Sequence, residues 1–536
     1  VDIHYYVNDI EKTVLLYELL PNDKAIILEV RITEAKREET YYISTKQLGD
    51  SELYEQQLLG ETHSDILAKI DSYLPDFMES NYDVPPTNIL ETDVSYEIDC
   101  TDIVRDRFVY TYPSADTECI VSATFVIDSE VIVEDYPIIM RSLNSVTKIP
   151  EIFITTDNSQ EINSKDDFVT GSLTLKLNDY THLKALTNVP VSIRLRGNST
   201  ITMPKKAYKI KFDEKQRFLS QYSEKDWVLI ANYVDHTLIR NTLAYSLAGK
   251  LNLGFTPQYI FADVYINGAY QGNYLITDQI EVTNDRVNIE ENVAKVDTGY
   301  LVELDWGLYR EGLENTDDNY FLIDGAPFVI HSPDYEDEHY MNEQYEFISD
   351  YFELVLDTLE AKDDYSDLID EETFIDWYIV NELFKNVDAG YSSVYFNKDS
   401  GGLLKMGPVW DFDLSTGNPG YLPERGPEGW YVGNQNKNIF FYHLLQYPEF
   451  EEHLKDRWNE IYRTKIITLL PQVHRFADSI TYSRYRNFLV WDVIGIDINW
   501  YTAPEIYDLK TYDEQVWFLY DYLDQRIEWM NEEFNK

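Results

Sequence analysis

The hydrophobic periodicity of the sequence changes along the chain, and this change limits the folds that the chain can adopt. Up to about residue 310, apolar residues alternate with polar ones or form short β-branched and aromatic runs, which is typical of strands. From Met341 onward they recur every three or four residues, as in the C-terminal segment Tyr512–Phe534, which is typical of amphipathic helices. Strands that come first and helices that come later predict an α+β fold.

The chain divides into two predicted domains. Residues 1–147 form an all-β, sandwich-like accessory domain with one helical interruption at Glu61–Tyr73. Residues 148–536 form the second domain, which is strand-rich over 148–310 and mostly helical over 340–536. Predicted strands of the first domain include Thr13–Tyr17, Ala25–Ile32 and Ile120–Ile127. Nothing in the first domain offers a catalytic arrangement, so we expect the chemistry in the second.

The balance of charge excludes one class of partner. The chain has 96 Asp and Glu residues against 44 Lys and Arg residues, which gives a formal net charge of −52. Nucleic-acid affinity depends on basic side chains that displace counterions from phosphates, so we expect no nucleic-acid binding. No apolar run approaches the roughly 20 residues that span a bilayer, so we expect no membrane insertion.

The cellular compartment is indicated only indirectly. Cys100 and Cys119 could form one disulfide of a secreted protein or remain two buried thiols. The chain begins at Val1 without a Met or a signal-like segment, from which we expect a processed or trimmed N-terminus. The high acidity favours a secreted protein, extracellular or on the cell surface.

Common catalytic signatures are absent from the sequence. It contains no GxxxxGK[ST], GxGxxG, GxSxG or HExxH motif, which disfavours P-loop enzymes, α/β-hydrolases and zincins. One dense polar region remains: Asp388 follows the helical segment Glu371–Phe384, and a short strand pair then leads to Asp411 and Asp413. Carboxylates suit hard cations, and on an extended strand Asp411 and Asp413 would share a face.

This order of helix, loop Asp, strand pair and Asp-Phe-Asp resembles the catalytic half of a protein kinase. In those enzymes one Asp receives the proton of the substrate hydroxyl and a later Asp holds the metal on the ATP phosphates. A calcium site, or carboxylates that only accept hydrogen bonds, is the alternative interpretation. Four lysines within Lys205–Lys211 leave a similar choice, between a solvated edge strand and an anchor for phosphate groups.

Six motifs in a fixed order extend this resemblance. They are Pro150–Asp157, Arg196-Gly-Asn-Ser-Thr200 with Lys205-Lys206, Asp235–Asn241, Asn267-Gly268 to Tyr274, Asp388, and Trp410-Asp-Phe-Asp413. Together they resemble the spore coat protein H (CotH) family of atypical secreted protein kinases. The resemblance covers roughly Ile149 to the C-terminal helix and leaves only the N-terminal β region outside.

The resemblance implies a reduced, atypical protein-kinase-like domain without a Gly-rich loop. It also implies ATP as the phosphate donor, Mg²⁺ or Mn²⁺ as the metal with Ca²⁺ as a further candidate, and Ser/Thr of secreted or surface proteins as the acceptor. By the same resemblance, Asp388 matches the family's catalytic Asp, and Asp411, 23 residues later, matches its metal-binding Asp. Asp413 would share the metal or brace Asp411.

The cofactor-binding residues are likewise assigned by resemblance. Lys206 or Lys209 would supply the phosphate lysine, and because they point to opposite faces of one strand we expect at most one of them to do so. Arg196 and Arg240 match family positions, although Arg240 suits a structural ion pair equally well. Asp278 follows the hairpin, where a kinase would place the segment that contacts adenine.

One departure from the kinase pattern leaves a second hypothesis open. Protein kinases have an Asn five residues after the catalytic Asp, where it holds a second metal ion, whereas residue 393 here is Ser. A family member without activity therefore remains an alternative: a calcium-braced extracellular scaffold or carbohydrate-associated module, which would associate with polysaccharide or a multienzyme complex. Glycoside hydrolysis by a pair of carboxylates is a third hypothesis, but the sequence singles out no pair for this role.

Overall fold

The computed structural model describes residues 2–7, 10–12, 25–34, 37–46, 65–127, 129–311, 319–498 and 501–536. The chain divides into two units, Val1–Ser145 and Val146–Lys536. Helices and many strands are both present, and a β-rich region comes first, which confirms the α+β class. Within the described ranges, no helix has the length and apolar character that would let it cross a membrane.

The described residues of the first unit form strands and one helix. The helix α1 covers residues 65–73 within the predicted Glu61–Tyr73, while the predicted strand Thr13–Tyr17 lies outside the described residues. The strands are β1 Asp2–Val7, β2 Ile10–Lys12, β3 Ala25–Glu34, β4 Arg37–Lys46, β5 Phe77–Met78, β6 Tyr82–Asp83, β7 Asn88–Ile89, β8 Thr92–Ile98, β9 Ile103–Val104, β10 Arg107–Phe108, β11 Thr117–Ile127 and β12 Glu130–Met140.

These strands form three sheets, with orders β2-β1-β3-β4, β6-β10-β9 and β5-β12-β11-β8-β7. In β11 the buried side chains alternate along the strand, as period-two patterning predicts for a sheet with one covered face. Cys100 and Cys119 form a disulfide, with Cα atoms 5.5 Å apart. The choice that the sequence left open between a disulfide and two thiols is thereby settled in favour of the disulfide.

The second unit begins with a closed seven-stranded barrel. Its order is β13-β14-β15-β16-β17-β19-β18, and β13 closes the barrel against β18 in parallel. Asn267 and Gly268 both have positive φ (50° and 82°) in the tight turn of the predicted hairpin, which matches the twist of its strands. The strands are β13 Glu151–Thr156, β14 Val169–Lys176, β15 Leu186–Arg196, β16 Ala207–Gln216, β17 Glu224–Ile230, β18 Tyr259–Ile266 and β19 Ala269–Asp278.

The rest of the second unit is mostly helical and carries a five-stranded sheet of order β21-β22-β20-β23-β24. The elements are α2 Arg240–Ala248, β20 Tyr300–Leu304, α3 Leu308–Glu311, β21 Tyr320–Ile323, β22 Ala326–Ser332, α4 Asn342–Ala361, α5 Glu371–Phe384, β23 Val394–Lys398, β24 Leu404–Met406, α6 Ile439–Leu444, α7 Pro448–Ile461, α8 Leu469–Ser479, α9 Thr481–Val490, α10 Pro504–Asp508 and α11 Tyr512–Phe534. The apolar spacing of Phe450–Leu470 predicts a single helix, but this segment is in fact most of α7, a π-helical turn at Tyr462–Ile466, and the start of α8.

A buried polar seam joins the barrel to α9. The ammonium of Lys205, which is fully buried, donates hydrogen bonds to the carbonyl oxygens of Ala231 (2.7 Å) and Asn273 (2.5 Å) and to Oδ1 of Asn487 (2.9 Å). Gly272 permits this approach, because a Cβ there would lie 2.5 Å from Asn487 Oδ1. The conspicuous lysine at position 205 therefore serves barrel–helix packing.

Candidate active site

A cleft of about 760 Å³ opens in the second unit where four loops meet. The loops follow β15, β20, α5 and β24, so the barrel supplies one wall and the helical part supplies the others. Five carboxylates line this cleft: Asp388, Asp411, Asp413, Glu303 and Asp305. A cleft with this many acidic groups is suited to bind a cation through oxygen ligands.

Asp388 lies in the loop that follows α5. That helix is buried on nearly all sides, and its last turn ends at Lys385, whose backbone is left-handed (φ 49°). The Asp388 backbone N–H donates to Asn386 Oδ1 (3.1 Å), and the Asp388 carbonyl accepts from the N–H of Tyr391 (2.9 Å). These bonds fix the loop tightly, so the Asp388 carboxylate has a defined place in the cleft.

Asp411 and Asp413 lie in a turn rather than on the extended strand that the sequence predicts. β24 ends at Met406, and Asp411 has a left-handed backbone (φ 55°), which is uncommon for a residue other than Gly. The N–H of the buried Phe412 donates to Asn241 Oδ1 (2.8 Å) on α2, which holds the turn in place. The prediction of a shared strand face is therefore wrong, but both carboxylates line the cleft.

Two consecutive serines hold two of the cleft carboxylates. Ser393 donates its hydroxyl hydrogen bond to Asp411 Oδ2 (2.9 Å), and Ser392 donates to Asp305 Oδ1 (2.7 Å). Ser393 occupies the position where the kinase pattern has Asn, and here its hydroxyl orients Asp411.

Glu303 and Asp305 are cleft residues that sequence reasoning missed. Glu303 is on β20 and its Oε2 lies 2.6 Å from His331 Nε2, whereas Asp305 follows the strand. A sequence pattern could have identified them, because Glu303 and Asp305 are two residues apart at a strand end, and Asp411 and Asp413 have the same spacing. Their proximity to Asp411 depends on the pairing of β20 with β23, which only the folded chain brings about.

The electrostatics of the cleft disfavour ionisation of its inner carboxylates. Burial raises the pKa of Asp411, and the nearby Arg196 guanidinium and the Ser393 hydroxyl act in the opposite direction. The pKa of Asp413 is raised to about 8, mainly by burial and then by the negative charge of Asp411. A cation bound between them would favour the ionised carboxylates.

The donor set fits a divalent cation that also contacts phosphate. Among the described residues, the one group of three metal-type ligand atoms within 4.8 Å of one another is Asp99 with Cys100 and Cys119, whose sulfurs are bonded to each other. The cleft therefore offers no tight protein cage in the described part of the chain. Mg²⁺ often binds one or two carboxylates, with water and substrate phosphates completing its shell, and Asp411 with Asp413 can supply that share.

Arg196 is the predicted cation that the structure brings to the cleft. Its guanidinium lies over the Trp410 ring, 4.9 Å from the centroid, and faces the Asp411 side of the site. The following turn, residues 197–200, also lines the cleft. Gly197 has φ 101°, and a Cβ at this position would meet Thr200 Oγ1 at 1.9 Å. The lining cations Lys165, Arg194 and Lys437 were not singled out from the sequence.

The two predicted phosphate lysines lie outside the cleft lining. Lys206 donates to the carbonyl oxygens of Ile201 (2.8 Å) and Met203 (2.6 Å), and Lys209 forms an ion pair with Asp226 (2.9 Å). The alternative of a solvated edge strand is wrong as well, because β16 is paired on both sides within the closed barrel. The ammonium groups of both lysines therefore bond to neighbouring protein groups.

Arg240 and Asp278 also do not line the cleft. Arg240 is fully buried, pairs with Asp235 (2.5 Å) and donates through Nε to Thr416 Oγ1 (2.9 Å), so it supports the loop that follows Asp413. Asp278 is buried in an ion pair with Arg286 (3.0 Å), and burial raises its pKa. The neighbouring residue Gln279 does line the cleft.

Comparison with known protein families gives a match that includes most of the cleft residues. The family model described as CotH kinase protein matches residues 193–530, which is more than half of the chain and includes every cleft carboxylate named above. The resemblance found from the motifs is thereby confirmed. No curated protein matches the chain significantly.

Proposed function

Because the chain belongs to the CotH kinase protein family, we propose that it transfers the γ-phosphate of ATP to serine or threonine of secreted or surface proteins, in a metal-dependent reaction. The observation that carries this proposal is the convergence of Asp388, Asp411 and Arg196 on one cleft. Phosphoryl transfer requires these groups: a carboxylate that receives the hydroxyl proton, a carboxylate that holds a metal, and a cation for phosphate charge.

The barrel and the helical part would correspond to the two halves of a reduced, kinase-like fold. The cleft lies between them, as a nucleotide site between two halves requires. Gln279 follows β19 and lines the cleft, so the segment from Asp278 to Ile280 supports the expected position of the adenine-contacting chain even though the Asp278 side chain is committed to Arg286.

In the proposed reaction, the acceptor hydroxyl oxygen attacks the γ-phosphorus and its proton passes to Asp388. The bond between the γ-phosphorus and the β–γ bridging oxygen breaks, and ADP leaves with that oxygen. A bound Mg²⁺ or Mn²⁺ would offset the charge of the phosphate oxygens. Asp411 and Asp413 would hold that ion, with Ser393 keeping Asp411 in orientation.

Arg196 and its following turn would take the place of a Gly-rich loop. The stacking of Arg196 on Trp410 restricts its guanidinium, whose planar fork suits phosphate oxygens. The absence of a Cβ at Gly197 leaves room for the tight turn that follows. Positioning and electrostatics, rather than covalent chemistry, supply most of the acceleration in such reactions.

A secreted or surface location is part of the proposal. The disulfide between Cys100 and Cys119 supports it, because disulfides persist in oxidising compartments and are rare in reducing ones.

The experiment compares phosphate incorporation from ATP with Mg²⁺ or Mn²⁺, read by mass spectrometry, in the native chain and three variants. Asp388→Asn and Asp411→Ala should each lower incorporation at least a hundredfold, since each removes a group that acts in the transition state. Asp350→Asn is the matched control, because Asp350 is an exposed residue of α4. No incorporation by the native chain, with a thermal shift by Ca²⁺ and none by nucleotide, would instead support the calcium-braced scaffold.

A further inference from the structure

A second cavity of about 660 Å³ lies beside the candidate active site. Its floor is apolar: Leu304, Ala326 and Leu356 line it, and each is less than a tenth exposed. Trp306 and Tyr442 supply aromatic walls. An apolar floor open to solvent, with aromatic walls, is typical of a site that takes a large apolar side chain.

The loop that carries Asp388 separates the two cavities. Gly390 and Tyr391 line both of them, as do Asn436 and Lys437 on the facing segment. The partition is rigid, because the Trp306 N–H donates to the Tyr391 carbonyl (2.9 Å) and Asn438 Nδ2 donates to the Ala389 carbonyl (2.9 Å). Trp306 also stacks on Tyr309, with ring centroids 5.5 Å apart.

The two sides of this loop are close to each other. Asp388 and Gly390 are two residues apart, so their Cα atoms are separated by at most about 7 Å. An extended polypeptide advances by about 3.3 Å per residue. A chain that presents a hydroxyl to Asp388 can therefore place a side chain one or two residues away into the second cavity.

We propose that this cavity, the flanking pocket, binds a large apolar side chain of the acceptor polypeptide, within two residues of the hydroxyl that is phosphorylated. The inference rests on the proposed function and adds a substrate preference to it. Charged side chains line the cavity as well: Glu360 lies 3.7 Å from His443, Asp324 is a further carboxylate, and the ammonium of Lys437 is turned toward the Tyr431 ring, 4.4 Å from its centroid, in the first cavity. The buried floor offers an occupant dispersion contacts and desolvation.

The test uses seven-residue peptides that contain one Ser in an Ala/Gln background, with Leu, Phe, Ala or Glu at each flanking position. Two quantities are measured: kcat/KM for phosphate transfer, and binding of fluorescently labelled peptide without nucleotide. Leu or Phe at one of the positions within two residues of Ser should raise both quantities about tenfold or more over Ala. Ala326→Leu, which fills the floor, and Trp306→Ala, which removes a wall, should each abolish that preference while leaving transfer to the Ala peptide. Leu322→Ala is the control, because Leu322 is a half-exposed residue of β21 outside the cavity.

The outcomes separate this inference from the proposed function. Transfer with no flanking preference, or a preference that survives both pocket variants, overturns the flanking pocket and leaves the kinase proposal standing. Peptide binding that prefers Leu or Phe and is lost in Ala326→Leu, without any transfer, supports the pocket and overturns the kinase proposal. A change in KM for ATP in Ala326→Leu, with peptide preference intact, would assign the cavity to the nucleotide and overturn the inference.

Discussion

Ser393 and Asp411 are joined by a hydrogen bond of 2.9 Å from the serine hydroxyl to the carboxylate Oδ2. In protein kinases the side chain at the position of Ser393 is an Asn that holds a second metal ion. A hydroxyl that donates to a carboxylate leaves that carboxylate's other oxygen for a cation. Under the proposed function, this arrangement would suit one strongly held metal ion, with Ser393 as a positioning residue.

The first prediction concerns this bond. Ser393→Ala should weaken Mg²⁺-dependent ATP binding about tenfold, because a hydrogen bond to a charged group typically contributes about 1.5–3 kcal/mol. Isothermal titration of ATP at fixed Mg²⁺ measures the effect. Ser349→Ala on α4 is the control, since Ser349 is partly exposed and its hydroxyl donates to the Glu346 carbonyl of the same helix. Equal ATP affinity in native and Ser393→Ala protein would contradict the positioning role.

The second prediction concerns the cation over Trp410. Arg196→Ala should raise the Kd for ATP at least tenfold, and Arg196→Lys should recover only part of that loss, because Lys lacks the planar fork that stacks and binds two oxygens. Arg217→Ala is a charge-matched control, since Arg217 is exposed after β16. Binding that is insensitive to Arg196→Ala, or that weakens equally in Arg217→Ala, would show that the phosphate cation lies elsewhere.

The third prediction uses two glycines. A Cβ at Gly390 would lie 1.9 Å from the Lys437 carbonyl oxygen, whereas a Cβ at Gly426 would meet nothing within 4 Å. Gly390→Ala should therefore displace the loop of Asp388, lower phosphate transfer by at least tenfold and reduce the free energy of unfolding by about 1–3 kcal/mol. Gly426→Ala should change neither quantity. Urea unfolding and the transfer assay check both, and a silent Gly390→Ala would refute the described loop packing.

The fourth prediction concerns pH. His236 is fully buried, neither ring nitrogen has a hydrogen-bond partner among the described residues, and burial lowers its pKa to about 4. Since the unfolded chain has a His pKa near 6.5, the unfolded state binds more protons between these values. Stability from this group is therefore complete above about pH 6.5 and falls as pH decreases toward 4, by roughly 3 kcal/mol in all.

The matched variant is His236→Leu, which cannot titrate. The difference in unfolding free energy between the native chain and this variant, measured in urea at pH 7.5 and 4.5, isolates the imidazole from the many carboxylates that titrate in the same range. The native chain should lose more stability on acidification than His236→Leu does. An identical loss in both would mean that His236 gains a proton in the folded state without cost.

The parts of the site that sequence reasoning reached are those fixed by local pattern. Asp388 follows a helix with a clear end, and Asp411 follows a short strand pair with a Gly-Gly turn. The secondary structure around both residues can therefore be predicted from a few dozen residues of sequence. The Asn267-Gly268 turn is similarly local, and its predicted hairpin is confirmed. In each case the chain within a few residues determines the backbone.

What the sequence did not reveal depends on pairings between distant segments. Glu303 reaches the cleft because β20 pairs with β23, opposite Tyr395, and nothing near residue 303 indicates that partner. Lys209 was conspicuous in a basic run, yet the pairing of β16 with β17 places it in an ion pair with Asp226 on the adjacent strand. The break between α7 and α8 was not predicted, because the apolar residues of Phe450–Leu470 indicate one continuous helix through what is a π-helical turn.

The seam of Lys205 has a consequence for how the protein is made. Lys205 and its partner Asn487 are 282 residues apart and the last barrel strand ends at Asp278, so a ribosome that has already synthesised the barrel must add a further 209 residues before the ammonium meets its third acceptor. At about 5–20 residues per second, that interval lasts roughly 10–42 seconds. During it, Asn273 and Gly272 are not covered by α9, and the nascent barrel exposes an unfinished surface. A chaperone that binds nascent chains could therefore bind this surface from the synthesis of residue 278 until the synthesis of residue 490.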